Sequence, residues 1–333
     1  VRAEANLTSA NDLRDQRDRL LDELAGMVNI TTVENDKMVS VFIGSDALVE
    51  GVLWNQLEAV RDPALDPERP DLLRVRFAES GLPVDVRDGE LHAALTVRDV
   101  IVPEYQQRLD TLANALIGAI NAIQTQANGI NNLSGTLTSA NAVADPDAAL
   151  VGGTLPFAVE PGTFDVVVYD AAGVATTTSI TLTAATTLNE LAASLNGIAN
   201  FSAAVVGDRI EFGTSGGYTF GFASDGTGIL TVLGANGLFT GHDAASIGLN
   251  PLIEADPGLI ASGYSLDPLA TGDNTAALDM AALRNALILD GGASSLSDYY
   301  EATIAQLGVE SRSNQERLVV QQQFVDDFQQ RRQ

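Results

Sequence analysis

The sequence predicts a multidomain α and β protein: an elongated helical bundle with short β-hairpins, formed by the N- and C-terminal regions, plus an inserted β-rich (α+β) domain. Three observations predict it. Both ends and one central stretch carry apolar residues at helical spacing. Between about 29 and 88 the pattern changes to alternation around turn residues. From about Gly129 the chain becomes poor in charge and rich in Asn, Ser, Thr, Ala and Gly, which marks an exit from the helical part. The expected organisation is a discontinuous helical rod domain over 1–150 and 265–333, with hairpins at about 29–88, and an inserted outer domain over 151–264.

Residues 6–28 read as a charged helix with Leu13, Leu20, Leu24 and Met27 on one face. Arg14 with Asp18 and Asp15 with Arg19 form i,i+4 pairs outside that face. Val33, Val39, Val41 and Ile43 alternate around Asn35-Asp36, and Leu73, Val75 and Phe77 alternate before Ser80-Gly81 and Pro83, so both stretches predict hairpins. Between them Asp62, Asp66 and Glu68 lie among prolines. They lack the oxygen spacing and central glycine of a calcium loop and read as a surface loop. Leu91 and Leu95 lead to Pro103, which is expected to end or kink its helix. Tyr105, Leu109, Leu112, Leu116, Ile120 and Ile123 then give the strongest amphipathic pattern in the chain, the expected core helix for both terminal helices.

In the middle, 164–169, 175–183, 201–206, 208–213 and 218–222 predict strands, with hairpin turns at Asp170-Ala171-Ala172-Gly173 and Gly207-Asp208. Leu188, Leu191, Ala192 and Leu195 predict one short helix closed by Gly197. Helix resumes at a cap on Asp273 and carries Leu278, Ala281, Ala282 and Leu287 up to Gly291-Gly292. The last helix, 297–333, opens on a capping box of Asp298 and Glu301. It displays Tyr300, Ile304, Leu307, Leu318, Val325 and Phe328 on one face. Ser311, Asn314 and Gln321 interrupt that seam, so a bundle is expected rather than an autonomous coiled coil.

Composition excludes whole classes of function. A net charge of -26, with Lys37 as the only lysine, disfavours nucleic acid and anionic membrane surfaces as partners. The absence of cysteine excludes disulfides and thiolate metal sites. No window is long and apolar enough to span a bilayer, and Val1 begins no signal peptide. The opening without methionine and the stop inside a charged helix predict a piece of a longer polypeptide, monomeric by itself. Asn-x-Ser/Thr words begin at Asn6, Asn29, Asn132 and Asn200 and matter only in a eukaryotic secreted protein.

Catalytic motifs are weak. Gly213-Thr214-Ser215-Gly216-Gly217 matches G-x-S-x-G, and Asp225 and His242 follow in hydrolase order. A nucleophile elbow needs a helix after the turn. Tyr218 to Phe222 alternates as a strand instead, so a hairpin turn is expected. His92 and His242 are the two histidines, His92 a partly exposed helix residue and His242 a loop position, too few for an imidazole metal site. Gly226-Thr227-Gly228 lacks the third glycine of a dinucleotide fingerprint. Trp54 reads as a packing residue of a hairpin rather than a sugar platform. No catalytic, cofactor-binding or metal residue is assigned, no cofactor is expected, and the chain is read as a non-enzyme.

The words Asn11-Asp12-Leu13-Arg14-Asp15-Gln16-Arg17-Asp18, Leu20-Leu21-Asp22-Glu23-Leu24, Pro103-Glu104-Tyr105-Gln106 and Arg108-Leu109-Asp110-Thr111-Leu112-Ala113 come in a characteristic order. They are followed by Leu233-Gly234-Ala235-Asn236, Phe239-Thr240-Gly241, Gly272-Asp273-Asn274 and Ser297-Asp298-Tyr299-Tyr300. In that order the chain resembles the bacterial flagellar hook-associated protein 1 family. The resemblance implies a structural subunit of the hook-filament junction, extracellular on the flagellum and exported by the type III route without a cleavable signal. It also implies axial polymerisation with copies of itself, the hook protein and the second junction protein. An export chaperone would bind a C-terminal segment absent here. The alternative is a surface-exposed adhesin or glycan-binding module carried by the inserted domain, and after it a serine hydrolase.

Overall fold

The structure is a computed structural model that describes residues 11–35, 38–62, 72–153, 155–267 and 272–332. The start of the first expected helix at 6–10, the Asp36 turn residue, and Asp66 and Glu68 of the acidic loop lie outside the described residues. Contacts divide the chain into two compact units, Val1–Glu104 and Tyr105–Gln333.

The first unit opens with α1 (Asn11–Met27), whose apolar face carries Leu13, Leu20 and Leu24. β1 (Thr31–Asn35), β2 (Met38–Ile43), β3 (Asp46–Glu50) and β4 (Leu53–Trp54) follow as an antiparallel sheet in chain order. A bulge between Val41 and Phe42 breaks the β2–β3 register. β5 (Leu57–Arg61) and β6 (Leu73–Phe77) form a separate hairpin, with Glu58 opposite Arg76 and an ion pair of 2.8 Å between them. The expected pairing of β1 with β2 is present, whereas the Leu73, Val75 and Phe77 strand takes β5 as its partner and makes a single bridge, Arg76 to Pro83, across Ser80-Gly81. Trp54, expected to pack a hairpin, sits instead on a two-residue edge strand and is 73% exposed. α2 (Gly89–Thr96) is capped by the Asp88 carboxylate, which accepts from Gly89 N–H. Gly89 has φ +85°, and a Cβ there would lie 2.7 Å from the backbone of Met27, so only glycine lets α2 start against the end of α1.

Pro103 does not end the helical run. A π-helical stretch, Val97–Ile101, precedes it, and α3 (Val102–Gln124) continues beyond. Proline lacks the N–H of the next i→i−4 bond and crowds the preceding turn, and the wider π-turn absorbs both defects.

In the second unit, β7 (Leu133–Ser134) and β8 (Thr136–Thr138) come first, then β9 (Gly162–Tyr169), β10 (Ala175–Leu182), α4 (Leu188–Leu195), β11 (Phe201–Val206), β12 (Arg209–Thr214) and β13 (Thr219–Ala223). One sheet has the order β10-β9-β13-β7, the other β11-β12-β8. Residues 133–138, which the sequence places on the rod side of a boundary at 150, are thus strands of these two sheets. Phe164, Val166 and Val168 alternate inward along β9 and meet Phe201, Phe212, Phe220 and Phe222. Phe201 and Phe220 stand edge to face at 5.2 Å, as do Phe212 and Phe222 at 5.3 Å. α4 starts on a capping box of Thr187 and Glu190. Its last turn ends at Asn196 without a left-handed Gly197; the left-handed residue is Asn200, at φ 61°. α5 (Ile229–Leu233) is wholly buried, β14 (Phe239–Thr240) pairs with β15 (Gly248–Leu249), and α6 (Pro251–Ala255) follows.

α3 is fixed to this unit by amides rather than by leucines. Its buried residues are Ala113, Ile117, Asn121 and Gln124, whereas Leu109 on the predicted stripe is exposed. At 100° per residue the buried face lies about a quarter turn from the stripe. Asn121 Nδ2 donates to Phe239 O at 2.8 Å while its Oδ1 accepts from Phe239 N–H at 3.0 Å. Gln124 repeats the pattern, donating to Leu259 O at 2.9 Å and accepting from Ala261 N–H at 3.0 Å. Asn114 donates to Pro156 O and His242 O, and Asn128 to Ser265 O. Asn114 and Asn121 are seven residues apart, two helical turns, so they share a face of α3, and Asn128 lies beyond the helix end in a bridge to Gly263.

The chain ends with α7 (Thr275–Ala282) and α8 (Leu296–Arg332). Asp273 accepts from Thr275 N–H, from its hydroxyl and from Ser265 N–H, which holds its carboxyl down at about 2. Tyr264 bonds Asp279 of α7 at 2.9 Å, and burial first, then that bond, push its phenol up to about 12.

Candidate assembly surfaces

α8 opens on Ser295 and Asp298, not on Asp298 and Glu301. Asp298 N–H donates to Ser295 Oγ at 3.1 Å and Ser295 N–H to the Asp298 carboxylate at 3.3 Å. Ser295 can cap because its side chain reaches the third residue of the helix, which moves the start forward by three. The first turns are anchored. Thr303 is buried, and Tyr105 of α3 donates its hydroxyl to Glu310 at 2.9 Å.

Beyond Glu310 the character changes. From Ser311 to Arg331 every described side chain except Ser313 is exposed. Leu318, Val325 and Phe328, the predicted stripe, are all there, and Phe328 is 62% exposed. Val320 and Phe324, unnamed by the sequence reading, widen the stripe to nearly half the helix circumference at 100° per residue. Their i, i+4, i+8 spacing with Phe328 was the available signal. In proteins most helical stability comes from packing of an apolar face, and contiguous exposed apolar surface marks an interaction site.

The first unit carries a second such surface. Leu13, Leu20 and Leu24 of α1 line an open groove of about 550 Å³ with Val39, Val41 and Val49. Val52, Leu53 and Trp54 stand exposed in the same unit.

The motif residues do not assemble into a catalytic centre. Ser215 lies in the turn between β12 and β13, and its carbonyl accepts from Tyr218 N–H at the start of a strand. Asp225 spends its carboxylate on Thr227, Gly228 and Leu230 N–H groups ahead of α5. His242 lies 3.4 Å from Asp243, whose carboxyl is held low chiefly by Ser246. His92 is exposed on α2, its Nδ1 3.2 Å from Val86 O. Among the described residues no group of three or more His, Cys, Asp or Glu side chains is arranged to hold a metal, and no helix is long and apolar enough to cross a membrane.

The second unit also holds a polar cavity of about 440 Å³, walled in part by Asn128, Asn132, Tyr169, Leu266, Asp267 and Asp273.

An exposed apolar helix face is suited to association, and comparison with known proteins gives the type. Residues 1–137 match the family description "Flagellar hook-associated protein FlgK helical domain". That match gives the first 137 of the 333 residues the helical domain of this family and supports a flagellar hook-associated structural role. Among solved structures, the flagellar hook junction protein FlgK from Burkholderia pseudomallei has the same fold, with a TM-score of 0.50 at 15% identity over 97% of this chain and 78% of that one. No curated protein matches.

Proposed function

We propose that this chain is a subunit of the junction between hook and filament, joined to neighbouring subunits of an axial polymer through the apolar faces of its helices. The observation that carries this reading is the exposed stretch of α8 with Val320, Phe324 and Phe328. In this reading the helices of 1–150 and 265–333 supply the polymer-forming part. The sheets, with strands from 133 onward, are the part carried outside it. Head-to-tail contacts of this kind generate open helical assemblies and place the partners on the same axis: copies of the chain, the hook protein and the second junction protein. Export without a cleavable signal and a chaperone acting on a further C-terminal segment belong to the same proposal.

The test is a triple variant, Val320→Lys, Phe324→Lys and Phe328→Lys, in the flagellated cell. Export continues, the variant appears in the medium, and filaments detach from hooks with loss of swimming. Normal filaments in electron micrographs would exclude α8 as the joining surface. A glycan-binding role for the sheet lobe is a second reading, favoured by the polar cavity beside Tyr169.

A further inference from the structure

Along β9 the even-numbered residues face the phenylalanine core, while Val167 and Tyr169 face the opposite side of the sheet with Ala223 and Leu266. Tyr169 is 3% exposed, yet among the described residues its phenol has no hydrogen-bond partner. Desolvation alone pushes the phenol up, with no hydrogen bond contributing, so the hydroxyl is left to a partner from the cavity beside it. Tyr169 walls the cavity of about 440 Å³, a volume within the range of about 300–1,000 Å³ usual for small-molecule sites.

The walls are held by close packing. A Cβ on Gly129 would lie 2.3 Å from Gly258 O, and one on Gly263 would lie 2.3 Å from the Asp273 carboxylate. Neither position has room for a side chain, so the two loops are fixed against each other before anything binds. The Asp273 carboxyl, held at about 2, is ionised at any ordinary pH and accepts hydrogen bonds. Asn132 makes one long bond, 3.4 Å, to Thr219, which leaves its amide with further capacity. Among the described residues no Lys, Arg or His lines the cavity, which argues against an anion. Leu266 and the Tyr169 ring supply an apolar wall, and Ile130 beside them is 91% exposed.

We propose that this cavity binds a neutral polyhydroxylated ligand, a mono- or disaccharide. Hydroxyls of the sugar donate to the Asp267 and Asp273 carboxylates, the Tyr169 phenol and the Asn132 amide pair with its oxygens, and its C–H face lies on Leu266 and Tyr169. This site names the ligand class for the sheet lobe and does not rest on the helical assembly surfaces.

Saturation-transfer difference NMR on the whole chain tests it. The probes are methyl α-D-glucopyranoside, methyl α-D-mannopyranoside, methyl β-D-galactopyranoside, N-acetylglucosamine and maltose at millimolar concentration. Transfer to at least one sugar is expected, weakened about tenfold in Tyr169→Phe, the loss of one hydrogen bond. Tyr169→Phe keeps the buried ring and removes a hydroxyl that bonds no described residue, so its melting temperature stays close to that of the wild type, which separates lost binding from lost folding. Transfer from none of the five sugars overturns the proposal. So does equal binding by Tyr169→Phe, or calcium chloride alone perturbing the Asp267 and Asp273 amides while no sugar binds.

Discussion

Phe220 and Phe328 belong to the same compact unit, yet one is fully buried among Phe201 and Phe222 and the other is 62% exposed on α8. The sheet lobe closes its core with its own residues, so its apolar burial is complete within one chain. The far half of α8 leaves comparable side chains in water, where helix propensity alone gives little stability. The difference separates the part of the molecule that folding completes from the part that, in the proposed function, association would complete.

Replacing the two phenylalanines breaks this comparison most sharply. Phe220→Ala is expected to destabilise the chain by about 3–5 kcal/mol, while Phe328→Ala changes urea unfolding by no more than about 0.5 kcal/mol. Equal losses at the two sites would mean that α8 is already packed. The next largest effect falls on the amides of α3. Asn121→Leu keeps the branched shape but leaves Phe239 N–H and C=O unpaired and adds bulk, and about 2–4 kcal/mol is expected from the same unfolding curve. Ser295→Ala removes the reciprocal cap of α8 and costs about 1 kcal/mol, seen as frayed amide exchange in the first turn.

The smallest effect is one of pH. The Asp273 carboxyl is depressed to about 2, below the ordinary value of about 3.9. Its contribution is therefore fully present above about pH 4 and is lost as pH falls through about 2. Amide exchange at Thr275 and Ser265 should quicken over that window in the wild type, and Asp273→Asn should remove the dependence.

Much of the fold was legible. Alternation located β9 to β13 within two residues, and Asp170 to Gly173 formed the expected turn, with Gly173 at φ +81°. The strands β7 and β8 were not legible, because two or three residues inside an Asn- and Ser-rich stretch carry no period; their pairing partners β13 and β12 define them. The buried face of α3 was misplaced for a different reason. Hydropathy counts Asn and Gln as solvent-facing, but Asn121 and Gln124 are buried because each matches a backbone N–H and C=O pair. The seven-residue spacing of Asn114 and Asn121 was the clue. For the assembly surface, the stripe of Leu318, Val325 and Phe328 was readable, but a pattern names an apolar face without naming what covers it. Tyr169 carried no sequence signal, since an unpaired hydroxyl exists only once the chain has folded.

The central claim is that association covers the far half of α8. Because the native chain has no cysteine, Phe324→Cys can be compared with Thr177→Cys on the exposed surface of β10 by maleimide labelling, in the free chain and in assembled flagella. The account predicts that both label in the free chain and that only Thr177→Cys labels after assembly. Equal labelling of Phe324→Cys in the assembled organelle would contradict it.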